Sequence, residues 1–150
     1  MEPLHGAFRS AADGIRHGWV QGWWRDKDGN VCLLQAVSEA LGVEGVAVPL
    51  PMNVQLMIDS QLMRTGTYCR NRRQRKERRE LIRRGESIEP LIWGWNDAYR
   101  RTQDEVVDVL EAIADRLEAE YRDYIRELIS RAVRPATWFS QDRRAQLVHG

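Results

Sequence analysis

The sequence has few of the residues that build covalent or metal-centred sites. It contains only two cysteines, Cys32 and Cys69, and three histidines, His5, His17 and His149. Two cysteines are too few for a disulfide scaffold, and no spacing of cysteine, histidine and carboxylate residues suggests zinc. A phosphate-binding glycine loop and a Gly-x-Ser-x-Gly nucleophile motif are also missing. We therefore expect no metal site and no cofactor.

The sequence also lacks long apolar runs. No stretch approaches the roughly 18 uninterrupted apolar residues of a membrane span, and the N-terminus has no apolar core typical of a secretory signal. Apolar residues make up 43% of the chain and charged residues 30%, which is typical of a globular protein and not of a disordered one. We expect a single cytoplasmic domain over residues 1–150, without a membrane partner.

One long helix is predicted without help from the rest of the chain, over residues 102–133. Thr102 and Glu105 form a capping-box pattern, which places the start of a helix at Thr102. Apolar side chains then recur in steps of three and four residues, at Val106, Leu110, Ile113, Leu117, Tyr121, Tyr124 and Leu128. A helix of about 31 residues spans roughly 46 Å, whereas a domain of this size has a radius of gyration of about 15 Å. We expect the turns after about Leu117 to project or to meet a partner.

The rest of the chain predicts a mainly α-helical fold, with four or five helices in total. Apolar spacing, caps and glycine stops indicate the additional helices. They cover residues 4–16, 31–41 and 53–63 and an arginine-rich segment that ends at Arg84. Residues 43–51 are rich in glycine, valine and proline, which predicts a linker or an irregular loop.

Two segments with aromatic residues break this helical pattern. A tight-turn signature, Asp28-Gly29, follows the first of them, so a minor β-hairpin fits residues 19–32. The second segment contains a proline and a tryptophan-glycine-tryptophan cluster, which favour a loop over residues 87–99. This loop is expected to pack its rings under the start of the long helix.

Several short motifs together resemble a known protein family. They are His17-Gly18-Trp19 with Gln21-Gly22, Asp28-Gly29 with Cys32, and Trp95-Asn96-Asp97 with Arg101-Thr102 and Glu105-Val106. The set resembles a family of small uncharacterised proteins of actinobacteria and their phages. The resemblance covers residues 5–42 and 91–118 as a family-like core, and it implies a small helix-rich domain with no activity to carry over. Residues 64–85, rich in arginine, then count as an insertion, and residues 119–150 as a helix extension and tail.

Charge is sorted along the chain, although the net charge is only +1. Residues 70–84 contain nine basic residues and two acidic ones, which leaves the remaining residues with a net charge of −6. In a helix these basic side chains lie on every face, so most of them must meet water or an acidic partner. Arginine binds phosphate in a bidentate manner, and contacts with several phosphates release counterions. We expect a non-enzymatic binding protein that engages nucleic acid or an acidic protein surface.

The predicted binding set consists of the nine basic residues of this segment. They are Arg70, Arg72, Arg73, Arg75, Lys76, Arg78, Arg79, Arg83 and Arg84. One alternative is that this helix pairs inside the protein, because residues 103–133 hold nine acidic residues against four basic ones. The sequence does not distinguish an RNA partner from a DNA partner.

A different alternative is a small cysteine-dependent enzyme. Cys32 stands at the start of a predicted helix, where the helix dipole lowers the pKa of a thiol. If the fold brings His17 and Asp97 close to it, the three supply a nucleophile, a base and an orienting carboxylate. A cysteine followed by two leucines is more often a small core residue, so the enzyme is the weaker alternative.

The third alternative is a protein-interaction module that uses the later turns of the long helix. Tyr121, Tyr124 and Leu128 continue the apolar face beyond the length that a domain of this size covers. They predict a protein interface, and a homodimer is one expected outcome. The six tryptophans are expected mainly as core and loop anchors, although Trp23 or Trp24 also fits an exposed binding patch.

Overall fold

A computed structural model of the chain describes residues 3–133. Within this range the protein is mainly helical, and the described residues form six α-helices and no β-strand. The helices are α1 (Leu4–His17), α2 (Leu33–Ala40), α3 (Met52–Thr65), α4 (Arg72–Arg84), α5 (Glu89–Asn96) and α6 (Gln103–Ala132). The predicted helical class is therefore confirmed. From residue 134 onward, the tail predicted after the long helix lies outside the described residues.

The structure corrects the predicted number of helices from four or five to six, because α5 replaces a predicted loop. Pro90 lies in the first turn of α5, where a missing backbone N–H costs no helical hydrogen bond. The proline is thus compatible with a helix at this position. Burial of Ile92 and Trp95 stabilises α5 and outweighs the low helix propensity of Gly94.

The predicted β-hairpin is a compact loop, which is a second correction. Val31 forms two isolated bridges, a parallel one with Trp19 and an antiparallel one with Arg25. Each bridge is a single residue pair that is not continued by a neighbouring pair, so neither extends into the ladder of a hairpin. The predicted tight turn is present, and in it Asp26 Oδ1 accepts the backbone N–H of Asn30 (2.9 Å).

Residues Met1–Leu117 form one compact unit, here called unit 1, with a buried apolar core. In this unit α1 packs against α2, and α5 packs against both α2 and α3. The largest buried side chains include Phe8, Ile15, Leu33, Leu34, Ile58, Leu62, Ile92 and Leu110. Helix α4 is different, because none of its residues is buried. It therefore lies at the surface of unit 1.

Helix α6 begins with the predicted capping box. Glu105 donates its backbone N–H to Thr102 Oγ1 (3.2 Å), and Thr102 donates its backbone N–H to Glu105 Oε1 (3.3 Å). The buried side chains of α6 occur between Val106 and Ala114, and they face the core of unit 1. The apolar periodicity thus predicts correctly which turns of the helix contribute to this core.

The second compact unit, Glu118–Gly150, begins within α6 and is here called unit 2. Its described part is helical up to Ala132. Every side chain from residue 119 to 133 is exposed except that of Ile125, which is half-buried. Although α6 is the longest of the helices, no helix among residues 3–133 is both long enough and apolar enough to cross a membrane.

Buried glutamines, and not a sheet, satisfy the backbone groups of two loops in unit 1. Gln35 donates to the carbonyl of Gly45 (3.0 Å) and accepts the N–H of Ala47 (3.2 Å), both in the loop after α2. Gln55 donates to the carbonyl of Leu50 (2.8 Å), just before α3. Both glutamine side chains are almost completely buried. Because a buried side-chain amide needs hydrogen-bond partners, these contacts tie both loops to the core of unit 1.

Candidate nucleic-acid interface

The arginine-rich segment folds as α4 because its residues favour a helix and both of its ends are capped. Arginine, lysine, glutamine, glutamate and leucine all have high helix propensity. At the N-terminal end, the Asn71 side chain accepts the backbone N–H of Gln74 (2.8 Å). At the C-terminal end, Gly85 has a left-handed φ of 67°, and its N–H donates to the carbonyl of Ile82. The helix predicted to end at Arg84 is therefore confirmed.

One arginine of α4 is engaged inside the protein. Arg78 donates from Nε to Asp59 Oδ1 (2.9 Å) and from a terminal nitrogen to Asp59 Oδ2 (2.6 Å). Asp59 lies on α3 and is only 2% exposed, and its Oδ1 also accepts the hydroxyl of Tyr68 (2.8 Å). The hydrogen bonds that Arg78 donates to Asp59 raise the pKa of Arg78, and burial, followed by the Asp59 charge, raises the pKa of Tyr68. Arg78 therefore attaches α4 to the core of unit 1.

Asp59 is absent from the predicted site residues. A partial signal exists in α4, because Leu81 and Ile82 lie on the same side of the helix as Arg78 and mark it as an arginine near the core. No corresponding signal marks Asp59, which is separated from Arg78 by 19 positions in the sequence. A single aspartate among the apolar residues of a helix forms no repeating pattern from which its partner could be predicted. The pair is visible only in the folded structure.

The remaining cations of α4 face solvent. Arg72, Lys76, Arg79 and Arg83 follow one another in steps of four, three and four residues, so they lie on one face of the helix. All four side chains are exposed. None of them forms a hydrogen bond or an ion pair with any residue between 3 and 133. We call these four residues the cationic stripe.

The other predicted binding residues are exposed but lie off the stripe. Arg75 donates from a terminal nitrogen to the carbonyl of Arg70 (2.7 Å), which holds the start of α4 against the preceding turn. Arg73 and Arg84 point away from the stripe on the same helix. The structure therefore divides the predicted binding set into an internal arginine, a four-residue stripe and a group of flanking cations.

The cationic stripe is electrostatically unfavourable in the isolated protein. Like charges three or four residues apart on a helix destabilise it by about 0.2–0.5 kcal/mol per pair. The first turn of α4 contains no acidic residue, and Arg72 and Arg73 place positive charge where the helix dipole favours negative charge. A bound polyanion would reduce both repulsive contributions. The stripe thus has the electrostatic properties of a surface for negatively charged groups.

The acidic residues of α6 pair with α1 and not with α4 in unit 1. Arg9 donates to Glu111 (2.7 Å) and to Asp115 (2.9 Å). Arg16 donates to Glu111 (2.9 Å) and to Asp13 (2.6 Å), and these hydrogen bonds raise the pKa of Arg16. Between residues 3 and 117, no ion pair joins α4 to α6. The internal pairing considered from the charge distribution is therefore not formed in this part of the chain.

Cys32 lies at the start of α2, as expected, but its thiol is buried. The side chain is 2% exposed, and its sulfur caps α2 by accepting the backbone N–H of Gln35 (3.4 Å). Burial raises the pKa of Cys32 from 9.0 to about 11, although hydrogen bonds from backbone N–H groups act in the opposite direction. The prediction of a lowered thiol pKa is wrong, because desolvation outweighs the helix start. At neutral pH the thiol is protonated, which is unfavourable for a nucleophile.

His17 and Asp97 have partners of their own. The exposed His17 donates from Nδ1 to the carbonyl of Asp13 (2.7 Å). Asp97 Oδ1 accepts the backbone N–H of Gly22 (2.9 Å), and its Oδ2 accepts the indole N–H of Trp93. The three candidate catalytic residues share no hydrogen bond, so they do not form a proton relay. In the described part of the chain, no three histidine, cysteine or carboxylate side chains cluster as a metal site.

Asn96 connects the separated motifs that carry the family resemblance. Its buried Oδ1 accepts the indole N–H of Trp19 (2.9 Å) and the backbone N–H of Leu33 (3.1 Å). Its Nδ2 donates to the carbonyl of Val20 (3.2 Å), and Gln21 donates to the Asn96 backbone carbonyl (2.9 Å). These motif residues therefore have a structural role, since they hold the loop over residues 19–21 and the start of α2 against α5.

The predicted interface residues of the long helix are exposed side chains of unit 2. Tyr121, Tyr124 and Leu128 all present apolar surface, and Tyr124 is 60% exposed. Ile129 is exposed next to them. Charged residues of the same helix form ion pairs one turn apart, which leaves these apolar groups as the distinctive feature of the segment. Their exposure is the property on which the interface prediction depends.

Residues 2–116, which nearly coincide with unit 1, match a family model. It is described as Family of unknown function (DUF6197). The matched range includes helices α1 to α5 and the cationic stripe. No curated protein and no solved structure matches the chain. Because the match covers well over half of the sequence, the chain belongs to this family of unknown function.

Proposed function

We propose that the chain is a non-enzymatic binding protein whose cationic stripe contacts the phosphate backbone of a nucleic acid. The observation that supports this proposal is the set of four exposed cations on one helix face, without an internal partner among residues 3–133. From Arg72 to Arg83 the stripe is roughly 16 Å long. Phosphates of one duplex strand recur about every 3.4 Å along the helix axis, so the stripe reaches several of them.

The composition of the stripe favours phosphate contacts over base contacts. Three of its four residues are arginines, whose planar guanidinium groups bind phosphate oxygens in a bidentate manner. Such contacts position a protein on nucleic acid without reading the sequence. We therefore expect binding with little sequence preference and a strong dependence on salt. The source expected from the resemblance, an actinobacterium or one of its phages, stays a prediction.

The proposal is tested by titrating fluorescently labelled RNA and DNA oligomers with the protein at several salt concentrations. If the stripe neutralises about four phosphates, the slope of log affinity against log salt is about −3.6 for duplex DNA and about −2.8 for a single strand. Fluorescence anisotropy gives both affinity and slope. Affinities weaker than about 100 μM at low salt for every oligomer would contradict the proposal, and would favour an acidic protein surface as the partner.

A pair of charge-reversal variants separates the stripe from the total charge of the protein. Lys76→Glu together with Arg79→Glu removes two of the four stripe cations, and should abolish most binding while leaving the fold intact. The matched control combines Lys27→Glu with Arg126→Glu, which changes net charge equally at exposed sites outside α4. The control should retain most of the affinity. Equal losses in both variants would show that only the total charge matters.

A second candidate function is protein interaction through unit 2, including self-association. The exposed apolar side chains of Tyr121, Tyr124 and Leu128 support it, because apolar groups of this size are usually covered in a soluble helix. This function is compatible with nucleic-acid binding, since a dimer would present two cationic stripes. It is tested separately, through the mass of the protein in solution.

A further inference from the structure

A groove of about 450 Å³ opens beside α5 and has no role in the proposed function. It is lined by Trp24, Ser87, Glu89, Pro90 and Trp93. Its volume is within the range of small-molecule sites, roughly 300–1,000 Å³. The lining combines two indole rings with one carboxylate. Such a combination suits a ligand that is both apolar and positively charged.

The two indole rings form a corner. The ring centroids of Trp24 and Trp93 are 4.5 Å apart, and the ring planes meet at 85°. Trp93 is held by the hydrogen bond from its indole N–H to Asp97, and the backbone of Trp24 is held by the N–H of Cys32 (3.0 Å). In this edge-to-face contact the edge of one indole covers a face of the other, so the ring that contributes its edge keeps its own faces clear of its partner. Indole faces attract a cation that lies within about 6 Å of the ring centre.

Glu89 supplies the charge that an organic cation needs. The residue is only 9% exposed, and its Oε1 accepts the backbone N–H of Leu50 (2.7 Å). Its second oxygen, Oε2, accepts no hydrogen bond from any residue between 3 and 133. Among the described residues, Ser38 Oγ is the one fully buried side-chain N or O atom without a partner. Glu89 Oε2 therefore keeps some access to solvent, and Glu89 is one of the residues that line the groove.

A cation that reaches this largely buried carboxylate interacts with it more strongly than it would with a fully solvated one. Glu89 Oε2 is a single free acceptor, and this limits which kind of ammonium group the lining can satisfy. Ser87 Oγ already donates to Gln55 Oε1 (3.1 Å) and accepts the N–H of Glu89 (3.2 Å). A primary ammonium group has three N–H donors, and the lining leaves two of them without an acceptor. A quaternary ammonium group has no N–H to satisfy, and its methyl groups contact indole and proline carbons favourably.

We propose that the groove between Trp24, Trp93 and Glu89 binds a trimethylammonium group. The indole faces hold the methylated cation, and the Glu89 carboxylate balances its charge. The group comes either from a small choline-like molecule or from a trimethylated lysine side chain. Both sources present the same chemistry to the groove, and the experiment separates them.

The first measurement uses the wild-type chain and isothermal titration calorimetry. Choline is compared with 3,3-dimethyl-1-butanol, its neutral analogue with the same shape. We expect choline to bind at least about tenfold more tightly, because only the cation interacts with the indole faces and the carboxylate. Equal affinities would overturn the proposal. A dissociation constant above about 10 mM for choline and for a trimethyllysine peptide would also overturn it.

Two peptides of identical sequence then identify the source of the group. One carries trimethyllysine and the other unmodified lysine. Tighter binding of the trimethyllysine peptide than of choline assigns the groove to a modified protein, and the reverse order assigns it to a small molecule. Equal binding of the two peptides would contradict the selection of a quaternary ammonium group.

Three single substitutions test whether choline binds in the groove. Trp24→Leu removes one wall, and Glu89→Gln removes the charge while it keeps an acceptor for Leu50, so each should weaken choline binding at least about fivefold. Trp23→Leu is the matched control, because Trp23 is adjacent in sequence, 65% exposed and outside the lining. It should bind choline like the wild type. Circular dichroism verifies folding, and unchanged affinity in a folded Trp24→Leu protein would overturn the proposal.

Discussion

Arg78 of α4 and Asp59 of α3 form a bidentate ion pair with nitrogen–oxygen distances of 2.9 Å and 2.6 Å. The next residue along the chain, Arg79, is exposed and belongs to the cationic stripe. Side chains one position apart on a helix point about 100° away from each other. Adjacent arginines of the same segment therefore have different roles, since one stabilises the fold and the other faces a partner.

The Asp59→Asn substitution should lower the free energy of unfolding by about 2 kcal/mol, because the half-buried guanidinium of Arg78 loses its charged hydrogen-bond partner. Urea denaturation followed by circular dichroism measures this change. Arg79→Ala is the matched control and should alter stability by less than about 0.5 kcal/mol. Similar effects of the two substitutions would contradict the division of the arginines into internal and exposed ones.

Cys32 should react slowly with iodoacetamide at neutral pH. Because its pKa is raised to about 11 and its sulfur is buried, little thiolate is present and access is poor. The rate is measured in a Cys69→Ser background and compared with that of glutathione. Labelling of Cys32 faster than glutathione would contradict the buried-thiol assignment and would revive the cysteine-dependent enzyme.

The Cys32 thiol should also make the free energy of unfolding depend on pH in the alkaline range. Its pKa is raised in the folded state from 9.0 to about 11, so between these values the unfolded chain loses a proton that the folded chain retains. This contribution is fully present below pH 9 and decreases as pH rises toward 11, by at most about 1.4 kcal/mol per pH unit. Cys32→Ser keeps a capping atom for α2 but has no thiol to titrate. Parallel pH profiles for the wild type and this variant would contradict the prediction.

Asn96→Ala should lower the free energy of unfolding by about 3 kcal/mol, because it leaves the N–H groups of Trp19 and Leu33 without their acceptor inside the fold. Thermal and urea denaturation measure the loss. Gln21→Ala tests an exposed neighbour in the same network, and it should cost less than about 1 kcal/mol. A larger effect at Gln21 than at Asn96 would show that the network is centred elsewhere.

Tyr124→Glu combined with Leu128→Glu should reduce the mass measured by light scattering if unit 2 forms a homodimer. The reason is that two carboxylates in an apolar contact would have to be buried without partners. Tyr99→Glu, at a side chain of unit 1 that is 88% exposed, is the control and should leave the mass unchanged. A monomer before and after both substitutions would exclude self-association through this segment.

Local signals predict most of the helices of this chain. The long helix starts at the Thr102 and Glu105 capping box, and Gly85 ends α4 where a glycine stop is expected. The loop predicted over residues 87–99 is wrong, because proline breaks a helix only in its interior and Pro90 occupies the first turn of α5. Proline position within an element, and not proline content, decides the conformation here.

The site could be predicted only in outline. Charge density marks α4 as a cationic helix, and its spacing places four cations on one face. The pairing of Arg78 with Asp59 and the corner formed by Trp24 and Trp93 depend on contacts between distant parts of the chain. Such contacts are set by how the helices pack around the core. For the same reason, the start of α2 suggests a reactive Cys32, whereas burial, which the sequence does not show, raises the pKa of its thiol.

The buried amides of Gln35, Gln55 and Asn96 also affect how quickly loops of unit 1 open. In most proteins, backbone hydrogens outside helices and strands exchange with solvent deuterium much faster than those inside. Here the N–H groups of Ala47, Ile88 and Leu33 donate to these side chains, and those of Ile88 and Leu33 are themselves buried. For Ile88 and Leu33, exchange therefore requires the surrounding helices to separate. We therefore expect the backbone hydrogens of these two residues, at the starts of α5 and α2, to exchange slowly, although the first N–H groups of a helix have no acceptor within the helix itself.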